Sequence, residues 1–262
     1  MDLAIIIFGY SRPRKLEILL ENISEQNKKC FEIFVFIDKH DDTKIHGSHE
    51  SLSRKFKDVQ FEFRTKKYGL AKNVSSGISQ VLEIFEACIV LEDDLILHDD
   101  CIDFLETALK KFKNHKDIGQ INGYSDKVHK IKNPTYEYNI TDFPTSWGWA
   151  TWRDRWHNFT MEPEVLKQYA EENEVKAKLA EKIKWGSKTR LELLELLFES
   201  RIDSWAICWT TCLLKAKLKC IEGSGSYVEN AGFVNGSHVA IRSELRSKIR
   251  MLLSYIYKLR NR

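Results

Sequence analysis

Glu92, Asp93 and Asp94 stand side by side in the stretch VLEDDLIL (90–97), pinned between two apolar runs. Adjacent carboxylates repel, and burying them unpaired is costly. Two arrangements relieve that cost. One is a helix N-terminus, because DDCIDFLETALKKF follows and acids suit a first turn. The other is a bound cation such as a metal ion, for which carboxylate oxygens are hard ligands. Other residues able to do chemistry follow apolar runs in the same way. Phe8, Gly9, Tyr10 and Arg12 close or follow LAIIIF (3–8), and Asp38 closes FEIFVFID (31–38). Lys72 and Asn73 lie in GLAKNVSSG, Asp203 in IDSWAICW, and His238 near the end of the Gly-containing AGFVNGSHV.

The elements that must position these groups are legible as alternating patterns. Strands are predicted at 3–8, 31–38, 59–64, 87–93 and 118–123, with helices at 12–26, 49–58, 69–85 and 101–115 between them. Such alternation predicts an α/β domain with a mostly parallel sheet flanked by helices. Ligands of such sheets bind at the carboxyl ends of the strands. GYSRP, Asp38 and the carboxylate triplet all fall there, so three polar clusters converge on one edge. From 126 to 161 the pattern breaks, and four of the seven tryptophans fall within ten residues. Trp152 and Trp156, four apart, read as core on one helix face. Trp147 and Trp149 flank Gly148 and read as a ligand-facing loop, since exposed rings suit stacking on sugars or bases. Residues 162–201 read as charged surface helices covering one side of the sheet. A further helix is predicted in RIDSWAICWTTCLLKAK, where Asp203 with Ser204 offers a cap, and strands in KCIEG and GSYVEN.

The 262 residues are 43% hydrophobic, enough for one large domain or two small ones. A net charge of +3 gives no ground for a nucleic-acid partner. Residues 242–262, however, hold seven basic residues and one acid, with Leu245, Ile249, Leu252, Ile256 and Leu259 on one helical face. Two readings stand for this basic amphipathic helix: contact with an anionic membrane surface, or docking on the domain or in an oligomer. The six cysteines show no CxxC spacing and read as reduced, buried thiols of a cytosolic protein. The N-terminal apolar run reads as a strand rather than a signal peptide, and no stretch approaches the ~20 apolar residues that span a bilayer.

Taken in order, FGYSRP, FID, YGLAKNVSSG, VLEDDLIL, SWGWATWRDRW, DSWAICW and VENAGFVNGSHV resemble the bacterial nucleotide-sugar glycosyltransferases of the GT-A fold. That group belongs with glycosyltransferase family 2 and is similar to eukaryotic N-acetylglucosaminyltransferase I. The resemblance runs from about residue 3 to residue 239 and leaves the tail outside. It implies a GT-A domain over 1–240, with 1–125 as the nucleotide-binding half and 126–240 as the acceptor-binding half, followed by the 241–262 helix. It also implies a metal-dependent, inverting enzyme on the cytoplasmic face of a bacterial membrane. Its donor would be a UDP-sugar, and its acceptor a hydroxyl of a lipid-linked or surface glycan, such as capsule or lipopolysaccharide.

On this resemblance Asp94 binds Mn²⁺ or Mg²⁺, while Glu92 and Asp93 hold ribose or sugar hydroxyls. Phe8, Gly9, Tyr10 and Arg12 lie near the base or diphosphate, and Asp38 accepts from uracil N–H. Lys72 or Asn73 reaches base or phosphate, or else merely starts a helix. His238 completes the metal site or is structural. Asp203 is the base that deprotonates the acceptor hydroxyl, or only a helix cap. Trp147, Gly148 and Trp149 form the acceptor or sugar loop. Ser11 stands where the family usually has Asn. Three rival readings stand beside this one. A nucleotidyltransferase would show a glycine-rich segment after its first strand, and a dehalogenase-like phosphatase would carry its acids after that strand. A non-catalytic carbohydrate-binding or glycan-assembly protein at the membrane would explain the aromatic loop and the basic tail.

Overall fold

The computed structural model describes residues 1–27, 29–126, 137–183 and 187–231. The first half runs β1 (Leu3–Gly9), α1 (Pro13–Gln26), β2 (Glu32–Ile37), α2 (Thr43–Lys55), β3 (Val59–Phe63), α3 (Leu70–Leu82), β4 (Ala87–Glu92), β5 (Leu95–Leu97), α4 (Cys101–Phe112) and β6 (Ile118–Asn122). The second half runs β7 (Tyr138–Thr141), β8 (Trp149–Trp152), α5 (Arg153–Trp156), α6 (Pro163–Glu171), α7 (Asn173–Leu179), α8 (Arg190–Phe198), α9 (Trp205–Lys215), β9 (Lys219–Gly223) and β10 (Val228–Asn230).

The main sheet has the order β3-β2-β1-β4-β8-β6-β9-β7. Strands β3, β2, β1 and β4 run parallel, as do β6 and β9, whereas β8 and β7 lie antiparallel to their neighbours. All seven residues of β1 are buried, as a central strand covered on both faces requires. Its alternate side chains feed two cores. Leu3, Ile5 and Ile7 pack with the apolar stripes of α1 and α4, and Ala4, Ile6 and Phe8 pack with those of α3 and α9. Pro13 opens α1 at its first turn, where a missing N–H costs nothing. The chain is thus an α/β sandwich whose strand order reverses between β1 and β4. A crevice opens at the carboxyl ends of strands at such a reversal.

Three expectations change in detail. Helix α2 starts at Thr43 rather than 49, because the Asp42 side chain accepts from Lys44 N at 2.8 Å and caps it. Helices α6, α7 and α8 pack on α9 rather than directly on the sheet, burying Leu166, Leu179 and Leu194 around Trp156 and Trp209. Trp149 and Trp152 both belong to β8, so the tryptophan segment is largely a strand inserted between β4 and β6.

Candidate active site

The crevice is built by backbone pairing. Asp93 N donates to Phe8 O at 3.0 Å, and Asp38 N donates to Gly9 O at 3.0 Å. These bonds bring the ends of β1, β2 and β4 to one level. A Cβ on Gly9 would lie 2.8 Å from Ile37 Cδ1, so the tight approach of β1 to β2 uses the glycine. Tyr10 N then donates to Asp93 Oδ2 at 3.3 Å, turning the loop before α1 over the triplet.

The triplet does not begin a helix. Strand β5 follows it directly, and the N-cap of α4 is Asp100. Asp93 and Asp94 are 4% and 6% exposed. The cation facing them is Arg12: its guanidinium pairs with Asp94 Oδ2, and its Nε lies 3.4 Å from Asp93 Oδ1. Burial, then the charges of Asp94 and Asp93, push the Glu92 carboxyl up to about 8 despite Arg12. Burial pushes Asp93 up to about 6, against the opposing pull of Arg12. Asp94 Oδ1 is buried with no hydrogen-bond partner among the described residues. An acceptor left so is costly unless a cation or donor reaches it.

The described residues hold no cluster of three or more His, Cys, Asp or Glu arranged around a metal. The donor set present, Asp94 with Asp93, nonetheless fits Mg²⁺ or Mn²⁺. Mg²⁺ commonly uses one or two carboxylates and takes its remaining ligands from water and substrate phosphates. Behind the triplet, β10 pairs with β5 and Ala231 N donates to Asp94 O at 2.9 Å. Ala231 therefore lies against the triplet. His238 itself and the 242–262 helix lie outside the described residues.

On the β2 side, the charged and polar groups organise the start of α3. Asp38 Oδ1 accepts from Tyr68 N at 2.8 Å and Lys39 N at 2.9 Å, and Oδ2 accepts from Gly69 N at 2.9 Å. Asn73 is buried and its Oδ1 accepts from Arg64 Nε at 2.9 Å. The Lys72 ammonium lies 5.0 Å from the Tyr68 ring centre. Asp203 does not cap its own helix. Ser204 does so, accepting from Ile207 N at 3.5 Å, while Asp203 Oδ1 accepts from Ala71 N at 3.2 Å. Asp203 thus brings α9 to the N-terminus of α3.

Two residues expected to face a ligand are core instead. Phe8 is 5% exposed and stacks on Phe36 at 5.6 Å, because its place in the strand turns it toward α3. Trp149 is fully buried in β8, stacked on Trp205 at 5.1 Å, because strand alternation points it at α9. Trp147, two residues earlier, lies outside the strand. It lines a cavity of about 220 Å³ with Tyr124, Trp205, Trp209 and Thr210. Gly148 makes the turn between them at φ +57°, where a Cβ would lie 2.7 Å from Val228 Cγ1. Tyr10 is 36% exposed, its ring 4.8 Å from His40.

Sequence reasoning missed the pairing of Arg12 with the triplet, the buried bridge from Arg64 to Asn73, and Tyr124 in the aromatic cavity. The sequence shows Arg12 as a cation after β1, and the resemblance puts it near the base or diphosphate; neither pairs it with an acid of the triplet. Its contact with Asp94 crosses 82 residues and depends on β1 lying beside β4.

No protein-family model matches the chain, and no curated protein matches it. Solved structures share its fold. S. aureus TarS matches with a TM-score of 0.50 at 11% identity, over 94% of this chain and 41% of TarS. TarS 1-349 in complex with UDP-GlcNAc matches with a TM-score of 0.50 at 12% identity, over 94% of this chain and 64% of that one. GalNAc-T7 with UDP, GalNAc and Mn²⁺ matches with a TM-score of 0.53 at 10% identity, over 87% of this chain and 43% of that one. The chain therefore spans less than two thirds of the length of these structures. At such identities the likeness concerns the fold: a GT-A-type glycosyltransferase fold, with a central, mostly parallel sheet and flanking helices.

Proposed function

We propose that this protein is a metal-dependent, inverting glycosyltransferase that moves a sugar from a UDP-sugar to a hydroxyl of a lipid-linked or surface glycan. The observation that carries this reading is the buried carboxylate cluster where the strand order reverses, with Asp94 Oδ1 left without a partner among the described residues. The GT-A-type fold and the ordered motifs, including their similarity to N-acetylglucosaminyltransferase I, support it.

In this reading Asp94, helped by Asp93, would hold Mn²⁺ or Mg²⁺, which offsets the charge developing on the diphosphate leaving group. Glu92 and Asp93 meet ribose or sugar hydroxyls. Tyr10 offers an exposed ring to the base, and Gly9 lets the loop approach closely. Asp38 has three of its roughly four lone-pair sites taken by backbone amides, and the last can accept from uracil N–H. Lys72 supplies positive charge near the nucleotide, and Asn73 keeps α3 in place through Arg64. Asp203 takes the proton of the acceptor hydroxyl, and Trp147 with Gly148 shapes the acceptor side. His238 is the further metal ligand in this reading, and 242–262 the contact with an anionic inner membrane face. No helix among the described residues is long and apolar enough to cross a membrane.

Thermal stability with UDP, GDP and CDP, each with and without Mn²⁺, tests the reading. A ligand at ~100 times its Kd stabilises by about 2.7 kcal/mol. A Mn²⁺-dependent shift with UDP, lost in Asp94→Ala, is expected. A folded protein that responds to no nucleotide would favour the carbohydrate-binding alternative, which the aromatic cavity could serve.

A further inference from the structure

Arg12 links the start of α1 to the carboxylate triplet. Its backbone is held by α1, with Lys15 N and Leu16 N donating to Arg12 O at 3.0 and 3.1 Å. Its side chain is 42% exposed at the mouth of the crevice, while its guanidinium bridges Asp94 and Asp93, whose side chains are 8% and 5% exposed. One oxygen of Asp94 is thus taken by Arg12 and the other has no partner among the described residues. A divalent cation drawn to Asp94 would sit within a few ångströms of the guanidinium, and like charges at that distance repel strongly in a partly buried site. A planar guanidinium also matches a diphosphate as well as a carboxylate, in the same two-pronged geometry.

We propose that Arg12 is the resident counter-cation of the triplet and a positioning residue for the donor. It pairs with Asp93 and Asp94 and offsets part of their charge while the site is empty, and passes to the diphosphate when the divalent cation takes Asp94. This rests on reading the crevice as a nucleotide-sugar site. Because one arginine serves two partners, cation binding and nucleotide binding are coupled: each frees what the other needs. A residue that merely stiffened the loop would not produce that coupling.

The test measures binding rather than turnover. Affinity for Mn²⁺ alone, and for UDP with saturating Mn²⁺, is titrated calorimetrically on the wild-type chain, Arg12→Gln and Arg12→Lys. The expected result is a crossing. Arg12→Gln binds Mn²⁺ alone at least roughly tenfold more tightly, because its competitor is gone. It binds UDP with Mn²⁺ roughly tenfold more weakly, because a charged donor to the diphosphate is gone. Arg12→Lys, which keeps the charge, falls between the two in both titrations and carries the test should Arg12→Gln not fold. Unchanged or weaker Mn²⁺ binding in Arg12→Gln overturns the proposal. It does so without touching the donor-site reading, provided the wild-type chain still binds UDP with Mn²⁺. If the wild-type chain binds no nucleotide with Mn²⁺, the donor-site reading fails, and this proposal fails with it.

Discussion

Asp203 is a carboxylate with a structural contact in the fold and, in the proposed function, a chemical role as base. Its Oδ1 accepts from Ala71 N, which leaves Oδ2 beside Gly69 at the crevice. Replacing it with Asn preserves the acceptor oxygen but removes the proposed base. Asp203→Asn is expected to lower kcat by about 10²–10⁴ with UDP affinity within twofold, measured by steady-state transfer and calorimetry. An unchanged kcat with a lowered Tm would leave Asp203 only a cap. His49 poses a different question. It is fully buried on α2, with neither ring nitrogen hydrogen-bonded among the described residues. Burial, and then the charge of His46, lower it from 6.5 to about 4. Above pH 6.5 it is neutral both folded and unfolded. As pH falls from 6.5 toward 4, the unfolded chain takes the proton and the folded one does not, so stability is lost. The loss is expected to be on the order of 2–3 kcal/mol. Glu92 and Asp93, both raised, act in the opposite direction as they protonate. The His49→Leu variant isolates the histidine: urea unfolding at pH 7.5 and pH 5 is expected to show a smaller loss than in the wild-type chain.

At the scale of elements, the N-terminus of α3 is held from outside. Its N-cap, Gly69, has no side chain to offer, so Asp38 accepts from Gly69 N and Asp203 from Ala71 N. Two strand-end loops and α9 thereby meet at one helix start. Gly69 sits at φ +79°, and a Cβ there would lie 2.6 Å from Asp203 Oδ2. Gly69→Ala is expected to destabilise the fold by roughly 2 kcal/mol or more, read from the urea midpoint, and to weaken UDP binding in parallel. Restoring space with Asp203→Ala should recover only part of that loss, because the backbone strain remains. The helical period of α3 was plain in GLAKNVSSGISQVLEIF. That its first turn depends on two distant carboxylates was not, since residues 38 and 203 are neighbours only once β2 and α9 are in place.

At the scale of the molecule, the described residues form an eight-stranded sheet with a core on each face and a two-stranded sheet of β5 and β10 beside it, and the basic stretch 242–262 lies beyond them. If that stretch serves a lipid-borne acceptor, its excess of positive charge should act through anionic headgroups. Co-sedimentation with phosphatidylglycerol-containing vesicles is expected at low salt, and it should fall sharply at about 0.5 M salt, where the Debye length shrinks to a few ångströms. Deleting 242–262 should abolish it while leaving the UDP-dependent thermal shift intact. Retained vesicle binding in the truncated chain would move the membrane contact elsewhere.

The local code of this chain determined a great deal. Apolar runs broken by helical periods were enough for five of the six strands of the first half, all but the short β5, for the α/β class, and for convergence of Tyr10, Arg12, Asp38 and Glu92–Asp94 at one sheet edge. Strand ends are local features, and parallel sheets put them on a common side. Which groups meet across that edge depends on strand order and packing. Arg12 reaches Asp94 because β1 pairs with β4, Asp203 reaches α3 because α9 packs on it, and Trp149 is core because β8 inserts beside β4. Residue type and spacing carry burial and period. They do not carry strand order, and strand order chooses the partners of a charge.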